Sequence, residues 1–161
     1  MIGRLSVLTS ALCVAIAGIA GCGKPVDLKQ ALQVTDVSSG WFDAGIVDGK
    51  NKLVPSVTFR LKKQSGVDIS SVALNLVYKY VDNQETFDEV YVQRVDFTGD
   101  QTQPINVRAK VGYTGDPPQS RADMLKHSMF RDMAAQILVK SGSSQWADLH
   151  HLTIVRQLLT K

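Results

Sequence analysis

The chain has little net charge and few aromatic residues. Its 18 Lys and Arg residues are nearly balanced by 15 Asp and Glu residues, so the formal net charge is +3, and Phe, Trp and Tyr make up 7% of its 161 residues. Nucleic-acid-binding surfaces usually show a basic stripe with interleaved aromatic residues. Here acidic and basic residues alternate along the chain, and we expect no nucleic-acid partner. With 44% hydrophobic residues, the composition is that of one globular domain.

Motifs that carry common chemistry are also missing. The sequence contains no G-x-S-x-G or S-x-x-K nucleophile motif, no H-E-x-x-H zinc motif and no glycine-rich phosphate-binding loop. Its three histidines are His127, His150 and His151. Adjacent residues on a strand point to opposite faces, so His150 and His151 should not share one metal ion. We therefore predict no catalytic residues, no metal site and no cofactor.

The first 21 residues have the pattern of a secretory signal peptide. Arg4 precedes an apolar run over residues 5–17, and small residues follow at positions 18, 20 and 21. This run is shorter than the roughly 20 residues that a membrane-spanning helix needs, and no basic stop-transfer cluster follows it. We therefore expect residues 1–21 to be a cleaved signal peptide rather than an uncleaved anchor.

The predicted signal peptide ends in Ile19-Ala20-Gly21, and Cys22 follows. This string resembles the lipobox of bacterial lipoproteins, in which an aliphatic residue and two small residues precede a cysteine. The resemblance implies that Cys22 receives a diacylglycerol thioether, that cleavage follows Gly21 and that the new amino terminus is acylated. Two or more acyl chains hold a protein stably at a membrane, so the resemblance implies a lipid anchor without a membrane span.

Cys13 is the only other cysteine and lies within the predicted signal peptide, so no disulfide bond is expected within residues 22–161. In lipoproteins of bacteria with two membranes, an Asp after the lipidated cysteine favours retention at the inner membrane. Gly23 stands at that position here. In such a host, the resemblance therefore implies the periplasmic face of the outer membrane. We expect residues 22–30 to form a lipidated tether and residues 31–161 to form the folded domain.

From about residue 31 onward, the hydrophobic pattern is mainly period two, which is typical of half-buried strands. Turn residues separate the alternating segments, and Asp48-Gly49 suits a tight reversal between two of them. Seven or eight short antiparallel strands favour a β-sandwich over a βαβ fold. The predicted strands lie over residues 41–47, 53–62, 72–80, 89–97, 105–111, 133–140 and 152–155.

One segment departs from the strand pattern. Ser120 and Asp123 resemble a helix capping box, and we predict one short helix over residues 121–131. Its Met and Phe130 face has two interpretations, an adaptable binding surface or core packing, and core packing is the expected one. The apolar residues at helical spacing are Leu125, Met129 and Met133.

Both tryptophans, Trp41 and Trp146, border predicted turns. Aromatic side chains at loop ends often mark recognition sites, because they supply a large contact area with few rotatable bonds. Alternatively, each tryptophan closes an open end of the sandwich, where it buries roughly 150–250 Å². We expect the second arrangement.

The strand pattern resembles the Ig-like accessory domains of bacterial envelope lipoproteins, typified by the FxLYD-type domain. The match covers about residues 53–111 and has the order of a strand, a short polar turn and a strand ending in an aromatic residue. This resemblance implies an Ig-like sandwich and a non-catalytic role, and it identifies no ligand-binding residues. The segments that carry it are Val57-Thr58-Phe59-Arg60-Leu61-Lys62-Lys63-Gln64-Ser65, Ile69-Ser70-Ser71-Val72 and Leu76-Val77-Tyr78-Lys79-Tyr80.

Together, these features predict a lipid-anchored envelope protein whose mainly β domain acts as a non-catalytic binding or structural module with an envelope protein partner. One alternative is a periplasmic carrier that holds a small apolar or lipid ligand between the sheets or beneath the helix. A second alternative is an enzyme of unknown class, since folds of this kind host many activities. A carrier requires an apolar cavity of roughly 300 Å³ or more, whereas a partner-binding module should show an exposed apolar patch or a long unpaired edge strand.

Overall fold

The computed structural model describes residues 26–159, which form a mainly β fold. The predicted signal peptide over residues 1–21 and the predicted lipidation site Cys22 lie outside the described residues. Two short helices accompany the strands: α1 (Leu28–Ala31) and α2 (Arg121–Lys126). The strands are β1 (Leu32–Val47), β2 (Lys50–Lys63), β3 (Ser71–Tyr80), β4 (Thr86–Thr98), β5 (Gln101–Thr102), β6 (Ile105–Arg108), β7 (Tyr113–Gly115), β8 (Met133–Lys140), β9 (Ala147–Thr153) and β10 (Leu158–Leu159).

The strands form one open, curled sheet in the order β10-β1-β2-β5-β4-β3-β8-β9, and β6 and β7 also pair with β2. The curl brings β3 next to β6, where the buried Tyr78 hydroxyl donates a hydrogen bond to the Val107 carbonyl oxygen at 2.9 Å. It also brings β1 next to β9, where the Ser39 hydroxyl donates to the Thr153 carbonyl oxygen at 3.3 Å. The predicted mainly β class is confirmed, and the Ig-like sandwich stays a prediction.

The strand predictions are accurate where hydrophobic alternation is regular. Strand β8 covers the predicted residues 133–140. In contrast, β1 and β9 both begin earlier than predicted, because each contains an irregularity that breaks the alternation: β1 shifts register between Thr35 and Ser38, and the β8–β9 pairing shifts between Ile137 and Leu138. Among the ten strands of residues 26–159, seven have four or more residues, and the other three, β5, β7 and β10, have only two or three.

The predicted reversal at Asp48-Gly49 is confirmed. These two residues connect β1 to β2, with Val47 opposite Lys50. Both have positive φ, 52° and 76°. Two successive residues with positive φ match the twist of paired strands, which explains why an Asp-Gly pair joins them.

The helix predicted over residues 121–131 is shorter than predicted. Its beginning is as predicted, since the Ser120 hydroxyl accepts a hydrogen bond from the Asp123 backbone N–H at 3.1 Å. It ends at Lys126, and His127 is already extended with ψ of 139°. Met133 instead begins β8, opposite Tyr80 of β3. Pairing with β3 therefore overrides the helical spacing of the apolar residues.

The folded region begins within residues 22–30, the segment predicted as a tether. Asp27 caps α1 by accepting a hydrogen bond from the Lys29 backbone N–H at 3.0 Å. Leu28 and Ala31 of this helix are buried in the core. Across the described residues 26–159, neither helix has the length and apolar character needed to cross a membrane.

Large apolar side chains from both halves of the curled sheet fill the core. Burying each such side chain contributes roughly 1.5–3 kcal/mol to the free energy of unfolding. Because no disulfide bond is expected, the stability of the domain should come mainly from this core. The fully buried side chains include Trp41, Leu53, Phe59, Leu61, Leu74, Leu76, Tyr78, Met133 and Ile137.

Tyr78 is expected to make the domain less stable at alkaline pH. Burial raises the pKa of its hydroxyl, and the Asp88 carboxylate adds to this effect. The folded protein thus keeps a proton that the unfolded chain loses above pH ~10, and the free energy of unfolding should fall as the pH rises beyond that value. In Tyr78→Phe, this fall at alkaline pH should be smaller. At neutral pH, the variant should lose about 1 kcal/mol of unfolding free energy, because the hydrogen bond to Val107 is missing.

Urea unfolding at pH 7 and pH 11 measures both effects. Tyr91→Phe is the matched control, because Tyr91 is exposed. The control should retain the alkaline loss of stability. If Tyr78→Phe lost as much stability between pH 7 and pH 11 as the unsubstituted protein does, the role assigned to this buried hydroxyl would be contradicted.

Candidate functional site

Strands β1 and β2 define two ends of the domain. At one end, α1 precedes Leu32, which pairs with Lys63. At the other end, Val47 pairs with Lys50 across the Asp48-Gly49 turn. Strand β1 has 16 residues, and at about 3.3 Å per residue the two ends lie roughly 50 Å apart along the strand. We call the end that carries α1 the proximal end and the end that carries the turn the distal end.

A cleft lies at the distal end. Strand β7 pairs with β2 close to the turn, with Gly115 opposite Asn51 and Tyr113 opposite Leu53. The loop after β7 and the segment after α2 line a space of about 350 Å³ that opens to solvent, which we call the distal cleft. Its lining consists of residues 113–116 together with Gln119, Met124, His127, Met129 and Phe130.

Aromatic rings form the floor of the distal cleft. Phe130 stacks on Tyr113 with ring centroids 4.5 Å apart. Trp41, which is fully buried, contacts both rings at centroid distances of 4.7 Å and 5.5 Å. Each such pair contributes about 0.5–1.5 kcal/mol beyond the area it buries. The floor therefore joins β1, β7 and the irregular segment after α2, which carries Phe130.

Arg131 fixes the segment that follows the floor. Its guanidinium lies 3.5 Å from the centroid of the Tyr80 ring and donates two hydrogen bonds to the Asp82 carboxylate, at 2.9 Å and 2.5 Å. These hydrogen bonds lower the pKa of Asp82 and raise the pKa of Arg131. The Arg131 backbone N–H also donates to the Tyr113 hydroxyl at 3.0 Å. Side chain and backbone of one residue thus join β3, β7 and the start of β8.

Burial raises the pKa of the Tyr113 hydroxyl, although its hydrogen bond with the Arg131 backbone acts in the opposite direction. The hydroxyl therefore stays protonated at neutral pH. It both accepts from the Arg131 backbone N–H and donates to the Arg131 carbonyl oxygen, at 3.3 Å. Two hydrogen bonds with the backbone of Arg131 thus hold the Tyr113 hydroxyl.

The upper part of the distal cleft carries two thioethers and an imidazole. Met129 is 77% exposed, the largest exposed fraction among the large hydrophobic residues described, whereas Met124 is buried. The His127 ring accepts a hydrogen bond at Nδ1 from the Met129 backbone N–H at 3.2 Å. The sequence interpretation of core packing is therefore right for Phe130 and Met133, which are buried, and wrong for Met129.

The two tryptophans have different surroundings. Trp41 is buried against the aromatic floor, as expected of a residue that closes one end of the core. Trp146 is 39% exposed and packs edge-on against the exposed Tyr91, with ring centroids 6.1 Å apart. Trp41 is therefore buried, as the capping interpretation requires, whereas that interpretation is wrong for Trp146, which lies on the surface.

Of the three histidines, only His127 lines the distal cleft. His150 and His151 lie on β9. His151 Nε2 lies 2.7 Å from the Asp148 carboxylate, which also accepts a hydrogen bond from Gln136 at 2.9 Å. Burial acts to raise the pKa of Asp148, and the hydrogen bonds from His151 and Gln136 outweigh it, so the pKa is lowered. Within residues 26–159, no three His, Cys, Asp or Glu side chains are grouped so that they could hold a metal ion.

The Met and Phe130 face is the sequence signal that could have located the distal cleft, since Met124, Met129 and Phe130 all line it. Core packing, the expected interpretation of this face, leaves such a cleft unpredicted. No protein-family model and no curated protein matches the chain. Function is therefore inferred from the residues of the site and from the resemblances of the sequence.

Proposed function

We propose that the chain is a lipid-anchored envelope lipoprotein whose domain is a non-catalytic binding module, and that the distal cleft engages its envelope partner. The observation that carries this proposal is an exposed apolar residue, Met129, on a cleft with an aromatic floor. Exposed apolar surface on a fixed scaffold is typical of binding sites. The His127 ring accepts a hydrogen bond from the Met129 backbone N–H, and the His151 ring is hydrogen-bonded to Asp148.

The position of the cleft fits an anchor at Cys22. Five residues, 23–27, separate Cys22 from α1 at the proximal end. Fully extended, they span less than about 20 Å, so lipidation at Cys22 holds the proximal end near the membrane. The distal cleft then faces away from the lipid surface, where a partner reaches it. In a bacterium with two membranes, Gly23 after the cysteine favours the periplasmic face of the outer membrane for this arrangement.

The proposal includes an Ig-like sandwich as the scaffold. Strands β1, β2 and β6 would form one layer, and β3, β4, β8 and β9 the other. The hydrogen bond from Tyr78 to Val107 crosses between these layers, and Ser39 and Thr153 join their edges. The layers share one core, which supports this description. Such scaffolds commonly present binding sites at one end, where the loops lie.

A carrier of a small apolar ligand is the second candidate, and the clefts beside α2 favour it. The distal cleft lies within the range of about 300–1,000 Å³ that small-molecule sites occupy. A second cleft of about 490 Å³ is lined by Ala122, Leu125 and Leu158, among others. Buried side chains such as Phe59 and Tyr78 fill the space between the layers. A ligand would therefore bind beside the helix and not between the layers.

Photo-crosslinking in cells tests the proposed binding surface. A photo-reactive residue at position 129 should give a discrete crosslinked species with an envelope component. The matched control is position 37 on β1, because Val37 is also exposed and is not among the residues that line the cleft. Equal crosslinking from both positions, or none from position 129, would contradict the proposal that the distal cleft engages an envelope partner.

Replacing the predicted lipidation site should release the protein from the membrane. In Cys22→Ser, no thiol is present to accept the diacylglycerol, so we expect loss of fatty-acid labelling and a shift from the membrane fraction to the soluble fraction of the envelope. Cys13→Ser is the control and should leave both unchanged, because Cys13 lies within the predicted signal peptide. Full membrane retention of Cys22→Ser would count against the lipid anchor.

A further inference from the structure

Two exposed aromatic side chains pack against each other outside the core. Tyr91 lies on β4, and Trp146 lies in the loop between β8 and β9. Of the exposed large hydrophobic residues within residues 26–159, only these two are aromatic, with exposed fractions of 58% and 39%. Their rings meet nearly at a right angle, with centroids 6.1 Å apart. Tyr and Trp side chains that stay exposed suit a boundary between water and an apolar phase, because each combines an apolar ring with a polar group.

This aromatic pair lies toward the proximal end of the domain. Lys63, the last residue of β2, donates a hydrogen bond from Nζ to the Ile69 carbonyl oxygen at 3.0 Å, just before β3 begins. Near the start of β3, Ala73 pairs with Lys140, the last residue of β8. The loop that carries Trp146 follows directly and leads into β9, which α1 contacts. The loop and α1 are therefore at the same end.

A cation and neutral polar groups border the two rings. Lys140 Nζ lies 5.9 Å from the centroid of the Trp146 ring. None of the ion pairs within residues 26–159 involves Lys140, so its ammonium group is available to an anion. Beside Tyr91, an open groove of about 570 Å³ is lined in part by Ser71 and Gln93. We call Tyr91, Trp146 and Lys140 the proximal surface.

The surface of a lipid bilayer fits the chemistry and the position of the proximal surface. Trp and Tyr side chains are enriched at membrane–water interfaces, and a nearby Lys is attracted to anionic headgroups. Residues 23–27, between Cys22 and α1, span less than about 20 Å, so a lipid anchor at Cys22 holds the proximal end within reach of the headgroups. Val26 in this segment is 49% exposed and adds an apolar side chain at the same end.

We propose that the proximal surface docks the domain onto the bilayer that holds its lipid anchor, with the Tyr91 and Trp146 rings among the headgroups and the Lys140 ammonium group against lipid phosphates. This inference rests on the proposed function, because the anchor brings the proximal surface to the membrane. A domain held only by its tether would pivot freely. Docking restricts the orientations in which the distal cleft is presented to its partner.

Fluorescence quenching in vesicles tests the docking. The native protein, extracted with detergent, is reconstituted into vesicles of phosphatidylcholine and phosphatidylglycerol, and part of the phosphatidylcholine carries bromine near the glycerol end of an acyl chain. Bromine quenches only a nearby indole. The native protein has two tryptophans, and docking of one of them should remove up to about half of its tryptophan fluorescence.

Trp146→Phe is the matched control for the quenching. Its remaining tryptophan, Trp41, is fully buried beneath the distal cleft, so its fluorescence should not change. Equal quenching of the native protein and of Trp146→Phe would overturn the docking inference.

Flotation of the same vesicles separates docking from anchoring. Protein that floats with the vesicles but keeps its full tryptophan fluorescence would overturn the docking inference and leave the lipid anchor supported. A proximal surface made for a glycan or a protein partner would give this result. Protein that does not float would contradict the lipid anchor, and the docking inference with it.

The contribution of Lys140 is measured by varying the anionic lipid. Omission of phosphatidylglycerol should reduce the quenching of the native protein, because the ammonium group loses the attraction of the anionic surface. In Lys140→Gln, the quenching should be weaker and should depend less on phosphatidylglycerol. Lys126→Gln is the matched control, since it removes the same charge from α2, and it should behave like the native protein. Equal behaviour of the two variants would overturn the assignment of Lys140 to the docking surface.

Discussion

Replacing Trp41 with alanine is expected to lower the free energy of unfolding by about 3–5 kcal/mol, the range observed when a buried aromatic side chain is truncated. Trp41 is fully buried and contacts both Tyr113 and Phe130, so its loss leaves a cavity beneath the distal cleft. Trp41→Phe should cost less, because a ring remains to fill part of this space. Equilibrium urea unfolding followed by circular dichroism measures the difference.

Trp146→Ala is the matched control for this prediction. Trp146 is 39% exposed and packs on one side against Tyr91, so its truncation should cost less than about 1.5 kcal/mol. Equal losses for Trp41→Ala and Trp146→Ala would contradict the assignment of Trp41 to the core and of Trp146 to the surface.

Gly112→Ala is expected to destabilise the domain by about 3 kcal/mol or more. The added methyl group would overlap backbone atoms, which cannot move aside as a flexible side chain can. A Cβ atom at this position would overlap the Leu53 carbonyl oxygen and lie 2.7 Å from Val54 Cγ1. Relief of the overlap would move β7 away from β2 and displace Tyr113, the next residue, from the aromatic floor. Thermal and urea unfolding of the variant measure the effect.

Gly66→Ala is the comparison, because Gly66 has a φ of 80° and no atom lies within 4 Å of the position its Cβ would take. Only backbone strain of about 1–2 kcal/mol is expected there. A Gly112→Ala loss no larger than that of Gly66→Ala would show that β7 and β2 do not approach each other as closely as described.

The sequence predicts those turns and strands whose conformation depends mainly on neighbouring residues in the chain. The Asp48-Gly49 turn follows from the tolerance of these residues for positive φ, and β8 follows from unbroken alternation over residues 133–140. The hydrophobic pattern does not predict the early part of β1, because a register shift near Asp36, itself at a φ of 51°, interrupts the period. A bulge of this kind leaves no reliable signature in hydrophobicity.

The distal cleft depends on contacts between distant segments, and this is why the sequence did not predict it as a unit. Tyr113 reaches the site by pairing opposite Leu53, and Phe130 by packing on Trp41. The end of α2 at Lys126 leaves Met129 exposed, while a helix continued to residue 131 would have placed Met129 on the same face as the buried Leu125, four residues before it. The residues of the cleft were visible in the sequence, but their convergence was not.

Intact mass spectrometry of the native protein, extracted from membranes with detergent, tests the lipid-anchored binding module most directly. The predicted mass is that of residues 22–161 carrying a diacylglycerol thioether at Cys22 and an acyl group on the new amino terminus. A mature chain with an unmodified Cys22, or a chain that still carries residues 1–21, would contradict it.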